Sequence, residues 1–442
     1  MTPDERLAVA QTVLARSRSD DTEVSVETHR QALTRFTHEA VNQNVDQTNT
    51  SIRVRSAVDG RVGIAATNAF DTDALNAVAE RAYEIALLAP RESTPPTFAG
   101  PSADAAPAGA FVAATAAAPP AERARIAGAI FAHATDGLWS SGYAMSSSCG
   151  RTIVTSNGAA MAFDGTDAGA NVKMNGADST GFAETYSRDV TTLDGDALGR
   201  EAARIARATR APLAVDPGDW TVILAPAAIG ELIRFLIAHF SAEAYADGSS
   251  FVTGKLGTPV SGDNVTIRDD FGHRLNPGMP FDFEGVPTQR VTLIANGVAA
   301  DIVTDSSWAQ RLNRPNTGHA VPAPNSDGPQ SSYAVVEAGS KSLATLVAET
   351  KRGLLITRLW YVRIVDQRTA LLTGMTRDGT LLIENGTIKG GVRNMRFNES
   401  IVAALRDCEF SDTQTRTGGY HYSLVTPAVK FKRFHFASIS PY

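Results

Sequence analysis

The sequence predicts an α+β protein: an N-terminal α/β domain over residues 1–212, then a large, mostly antiparallel β-rich domain over residues 213–442. Three observations predict it. An order of strand-like alternation followed by a helical pattern occurs twice, at roughly 22–88 and 140–209, which suggests internal pseudo-repetition. From Trp220 onward strand patterns dominate around one main helix. A chain of 442 residues also exceeds one ordinary core and suits two or three domains.

Taken in order, the elements begin with a helix near residues 4 to 17. Ser51–Val58 and Arg61–Ile64 alternate apolar with polar residues on either side of Asp59-Gly60, a strong hairpin signal. The next helix has Asp71 as its N-cap, Leu75, Val78, Ala82 and Ile85 on its buried face, and Pro90 as its stop. Residues 91–120 form a Pro/Ala-rich tract with linker-like composition. A helix begins near Ala121, strands resume through Ile153-Val154-Thr155 and the Asn157-Gly158 turn, and a helix at 196–209 closes the unit. Beyond it the spacing predicts a helix over 226–247 and a short one over 341–351. Turns at Asp378-Gly379 and Asn385-Gly386 predict a β-meander.

Composition excludes several classes. Hydrophobic content of 43% and charged content of 20% are those of a globular protein. No apolar run reaches the length of a membrane span. The start lacks a basic stretch followed by an apolar one, and Cys149 and Cys408 are the only cysteines, so a reducing cytoplasm is expected. A net charge of −6 gives no electrostatic case for nucleic acid. The one basic run, Lys430–Phe434, alternates charge with apolar residues, as a half-buried strand does. Ser146–Gly150 lacks a Gly-x-Ser-x-Gly elbow and reads as a polar strand or loop.

The chemistry-bearing segment is Gly230–Asp270. Ile229, Leu232, Ile233, Leu236 and Phe240 recur at helical spacing as a core stripe, which Phe235 and Ile237 widen. His239 then reads as a partly buried, hydrogen-bonded side chain. The segment also resembles the core of the TldD/TldE (PmbA, modulator of gyrase) metallopeptidase family. In catalytic TldD-type members this helix carries His-Glu-x-x-x-His, which binds zinc. The matching residues here are Arg234, Phe235, Leu236, Ile237, Ala238 and His239, so only the second histidine remains. Val41–Thr50 with Val58–Gly63, Arg311–His319, Thr350–Trp360 and Ile383–Gly386 are similar to further family segments, in family order.

The resemblance implies that 91–120 is an excursion inside one domain and that this chain is a noncatalytic, TldE-like subunit with no catalytic or metal-binding residues of its own. Zinc would sit in a TldD-like catalytic partner, the heterodimer would trim unfolded or leader peptides, and the family's gyrase-linked name implies no contact with DNA. Gly248, Ser249, Ser250, Gly318 and His319 are candidate chamber-lining residues, with turn chemistry as the alternative. Cys408 lacks a Gly-Cys-Gly context and precedes the Thr417-Gly418-Gly419 stretch where the family's cysteine ligand is expected, so it reads as a buried structural thiol. His239 and Glu243 could share a helix face, but one histidine and one glutamate do not make a zinc site. Two alternatives stay open: an active metallopeptidase with substitute ligands from His239, His319, Cys408 and His421, or a stand-alone homodimeric peptide-binding protein.

Overall fold

Asp59 and Gly60 both take positive φ, 50° and 71°, so β2 (Ala40–Val58) turns directly back into β3 (Arg61–Thr67), as an Asp-Gly hairpin should. With β1 (Asp21–Thr37), β4 (Trp139–Thr155), β5 (Ala160–Asn175) and β6 (Thr180–Ser187) they form a six-stranded sheet in the order β3-β2-β1-β4-β5-β6. Every pairing in it is antiparallel. The computed structural model describes residues 1–102, 106–418 and 423–440.

The sheet is two three-stranded meanders joined at β1 and β4. Each meander is followed by a helix: α2 (Thr72–Leu88) after β3 and α5 (Gly195–Ala208) after β6. The helix contacts repeat as well. A Cβ on Gly63 of β3 would lie 2.1 Å from the Ala82 carbonyl oxygen, and one on Gly181 of β6 would lie 2.1 Å from that of Ala202. In both halves a glycine lets a helix rest on the last strand of its meander. α1 (Pro3–Leu14), α3 (Ala113–Ala116) and α4 (Pro120–Phe131) complete the described α-helices of this half. Asp71 caps α2 by accepting from the Ala74 amide at 2.9 Å. Ile85 departs from expectation: it is 38% exposed, and Ala86 takes the buried position because the helix turns its small residues toward Gly63.

The second sheet holds β7 (Gly218–Leu224), β8 (Ile267–Asp269), β9 (Val291–Ala295), β10 (Val298–Ala299), β11 (Ala334–Val336), β12 (Arg352–Asp366), β13 (Leu371–Glu384), β14 (Thr387–Gly391), β15 (Met395–Ser400), β16 (Cys408–Thr417) and β17 (Leu424–Ile439). Its pairings are antiparallel except β7 with β12 and β11 with β17. α6 (Pro226–Ala238) packs the Ile229, Leu232, Ile233 and Leu236 stripe against it, all 1% exposed or less.

Two expectations need correction. The helix expected over 226–247 is two helices, α6 and α7 (Ala242–Ala246), because residues 239–241 leave the helix and Val303 bonds the Phe240 carbonyl and the Ala242 amide. Asp378-Gly379 is a bulge inside β13, not a turn. Both residues have positive φ, and the Thr357 hydroxyl opposite them donates to the Asp378 carbonyl at 3.0 Å. The Asn385-Gly386 turn does connect β13 to β14.

Candidate functional site

Helices cover only one face of the six-stranded sheet. The even-numbered residues Phe36, Ala144 and Val172 of β1, β4 and β5 are sealed beneath them. The odd-numbered residues point the other way, toward the second domain, as the two-residue period of a strand requires. Register then assembles a polar row: Gln43 of β2 lies beside Arg35 of β1, Tyr143 of β4, Asn171 of β5 and Glu184 of β6. A neighbouring row holds Leu33, Met145, Gly169 and Tyr186.

These rows floor a cleft of about 610 Å³ whose opposite wall comes from α6 and β12, through Ala227, Glu231, Arg358 and Trp360. At its inner end the Tyr143 and Tyr186 hydroxyls are 3.1 Å apart, and Tyr186 donates to Glu184 Oε2 at 3.3 Å. Thr417 donates to the other Glu184 oxygen. Burial pushes the Glu184 carboxyl above its ordinary value, partly offset by the Thr417 hydrogen bond, and burial raises the Tyr186 phenol too. Arg358 stacks over the rings of Phe182, at 4.0 Å, and Trp360, at 4.9 Å, while donating to Asp378 Oδ2 at 2.8 Å. Lys173 Nζ lies 3.1 Å from the other oxygen of this buried aspartate. On α6, Glu231 is held by Arg234 Nε at 3.1 Å, and Arg234 lies over the Phe235 ring at 4.2 Å.

A smaller cavity of about 200 Å³ continues the cleft, sharing Gln31 and Met145. Beside it Asp167 of β5 accepts two hydrogen bonds from Arg416 of β16, each 2.8 Å. This bidentate pair fastens the first sheet to the second domain. The whole groove offers hydroxyls, amides, a guanidinium and apolar strips.

The histidines, the core cysteine and the turn residues singled out from the sequence lie elsewhere. His239 ends α6 and is 3% exposed, with its ring edge-on to Phe251 at 5.2 Å. Expected to be hydrogen-bonded, its Nε2 instead has no partner among the described residues. Burial lowers this imidazole to about 4. Glu243 lies beyond the helix break, on α7. Ser250 is buried and donates to the His239 carbonyl at 2.7 Å, and Gly248 and Ser249 form the turn before it. His319 is buried with Nε2 3.4 Å from Asp269 Oδ1, and Gly318 beside it takes φ 67°. None of the candidates Gly248, Ser249, Ser250, Gly318 and His319 borders the main cleft; Gly318 and His319 line a separate recess of about 40 Å³. Cys408 is buried in the core, and burial pushes its thiol up to about 12. His421 and Gly419 fall outside the described residues. The polar row escaped sequence reasoning; its available signal was the polar residues at alternate positions of long strands.

The sequence matches the PmbA/TldA metallopeptidase C-terminal domain over residues 217–438 and domain 1 of the same proteins over residues 22–86. The chain belongs to the PmbA/TldD metallopeptidase family. Its fold is that of TldE from Thermococcus kodakarensis, with a TM-score of 0.89 at 21% identity over 99% of this chain and 100% of that one. Among PmbA/TldD relatives it is similar to a metalloprotease of Methanothermobacter thermautotrophicus, 26% identical over 54% of this chain and 52% of the relative. It is also similar to the metalloprotease PmbA of Escherichia coli O157:H7, 25% identical over 56% of this chain and 54% of that protein. The chain thus spans about half the length of these two curated relatives. Among the described residues no three His, Cys, Asp or Glu side chains cluster as metal ligands, and no helix is long and apolar enough to cross a membrane.

Proposed function

We propose that this chain is the noncatalytic, TldE-like half of a zinc metallopeptidase heterodimer that trims unfolded or leader peptides, and that it forms a peptide-binding wall of the chamber. The observation that carries this reading is the side-chain set at the position of the family's zinc motif. Arg234 is a permanent cation with no lone pair to give a metal, Phe235 cannot accept a proton, and His239 turns its ring into the core. Zinc hydrolysis needs neutral ligands, an open water position and a nearby base, and this set does not fit that chemistry. The Arg234–Glu231 pair stands beside the cleft instead, where it can shape bound peptide. A TldD-like partner would supply the zinc and its activated water. Two unpaired cysteines are consistent with a reducing cytoplasm as its place of work.

Elemental analysis of the chain alone, and after co-expression with a family member carrying His-Glu-x-x-x-His, tests the proposal. The expected result is zinc in the pair only, with peptidase activity lost when the partner's motif is mutated. Stoichiometric zinc in the isolated chain overturns it. Zinc in neither preparation, with stable self-association, points to a homodimeric peptide binder.

A further inference from the structure

Arg35 stands out among the cations around the cleft. Arg358 is matched by Asp378, Arg234 by Glu231 and Arg416 by Asp167. The exposed Arg35 guanidinium has no hydrogen-bond or ion-pair partner among the described residues, and its cross-strand neighbours, Gln43 and Tyr143, are uncharged. Glu184 shares its row but lies three strands away, about 14 Å at roughly 4.8 Å per strand. That separation exceeds a Debye length of about 8 Å. Glu184 is also occupied by Thr417 and Tyr186. Next to Arg35 along the strands, Leu33 and Met145 provide an apolar strip inside the same cleft.

We infer that Arg35 receives a peptide carboxylate, with the apolar side chain next to it in the peptide lying over Leu33 and Met145. The inference rests on the peptide-binding reading above and names the chemical class that the site selects. A guanidinium fork pairs with a carboxylate through two parallel hydrogen bonds, a geometry that an amide cannot complete. The carboxylate could be a peptide's C-terminus or an Asp or Glu side chain.

Fluorescence anisotropy with the isolated, chelator-treated full chain separates these sources. The probes are labelled hexapeptides ending in Leu as free acids, the same peptides as C-terminal amides, and amidated peptides with an internal Asp-Leu pair. The free acid is expected to bind about tenfold more tightly than the amide, the worth of one charge-assisted pair. Arg35→Gln should abolish that difference, Arg35→Lys should keep part of it, and neither should move the thermal midpoint. Rescue of the amide by internal Asp assigns the side-chain source; no rescue assigns the C-terminus. Equal binding of the acid, the amide and the Asp-containing amide, an unchanged preference in Arg35→Gln, or no binding of any peptide overturns the inference. Such failure leaves the zinc and partner assays untouched. Zinc in the isolated chain would overturn the noncatalytic reading without touching the acid preference.

Discussion

The two faces of the first sheet are made by the same strands read at alternate positions. On the helix side, the even residues Val24, Val26, Ala32, Phe36, Ala144, Ala168, Ala170 and Val172 are all 2% exposed or less. Odd residues on the cleft side include Gln31, Arg35, Tyr143, Ser147, Asp167 and Asn171. The difference teaches that core and cleft are separated here by a single step along the chain. A one-residue slip in register would exchange them, so the buried face also fixes the aim of every cleft residue.

Substitutions on each face break or sharpen that contrast. On the buried face, Phe36→Ala removes a ring packed edge-on to Phe131 at 5.1 Å. It should lower stability by about 3–5 kcal/mol in urea unfolding. Asp167 is the exception on the cleft face, since Arg416, 4% exposed, depends on it. Asp167→Ala should cost about 3 kcal/mol by leaving that cation buried and unpaired, and a loss below 0.5 kcal/mol would show the pair is dispensable.

His239 extends the contrast to α6, whose core end carries a buried base. Its folded value of about 4 lies below the ordinary 6.5, so the unfolded chain takes up the proton first. Stability is therefore full above pH 6.5 and declines as pH falls toward 4, by up to about 3 kcal/mol. His239→Leu should flatten that decline; identical slopes in both proteins, from denaturation series between pH 7 and 4.5, would contradict it. The smallest effect belongs to Tyr143→Phe. It removes one partner of the Tyr186 hydroxyl from the open cleft and should shift stability by no more than about 0.5 kcal/mol.

Local chemistry was legible in the sequence where it acts alone. Asp59-Gly60 and Asn385-Gly386 form turns because both residues accept positive φ, and Asp71 caps its helix with its own side chain. The same reasoning fails at Asp378-Gly379, where a hydroxyl from β12 holds the positive-φ pair inside a strand. It fails at residues 239–241, whose helix break is imposed by Val303. The family was legible from ordered segments, and its C-terminal and first domains match residues 217–438 and 22–86. The cleft was not, because Arg35, Tyr143, Asn171 and Glu184 become neighbours only through register between strands far apart in the chain. Alternation shows that a strand has a polar face; it does not show which other strand's polar face lies beside it.

The seam between β1 and β4 has a consequence for assembly of the chain. Each meander closes through sequential neighbours, so each half can gather its own strands and helix quickly, whereas the seam must wait for a long loop to close. The cost of that closure grows slowly, by about 0.6 kcal/mol for each doubling of loop length. Gly100 and Pro101, both exposed between the halves, are thus the natural place to lengthen the chain or to cut it. Two fragments divided there would each carry one meander, and the β1–β4 ladder would be the template on which they recombine.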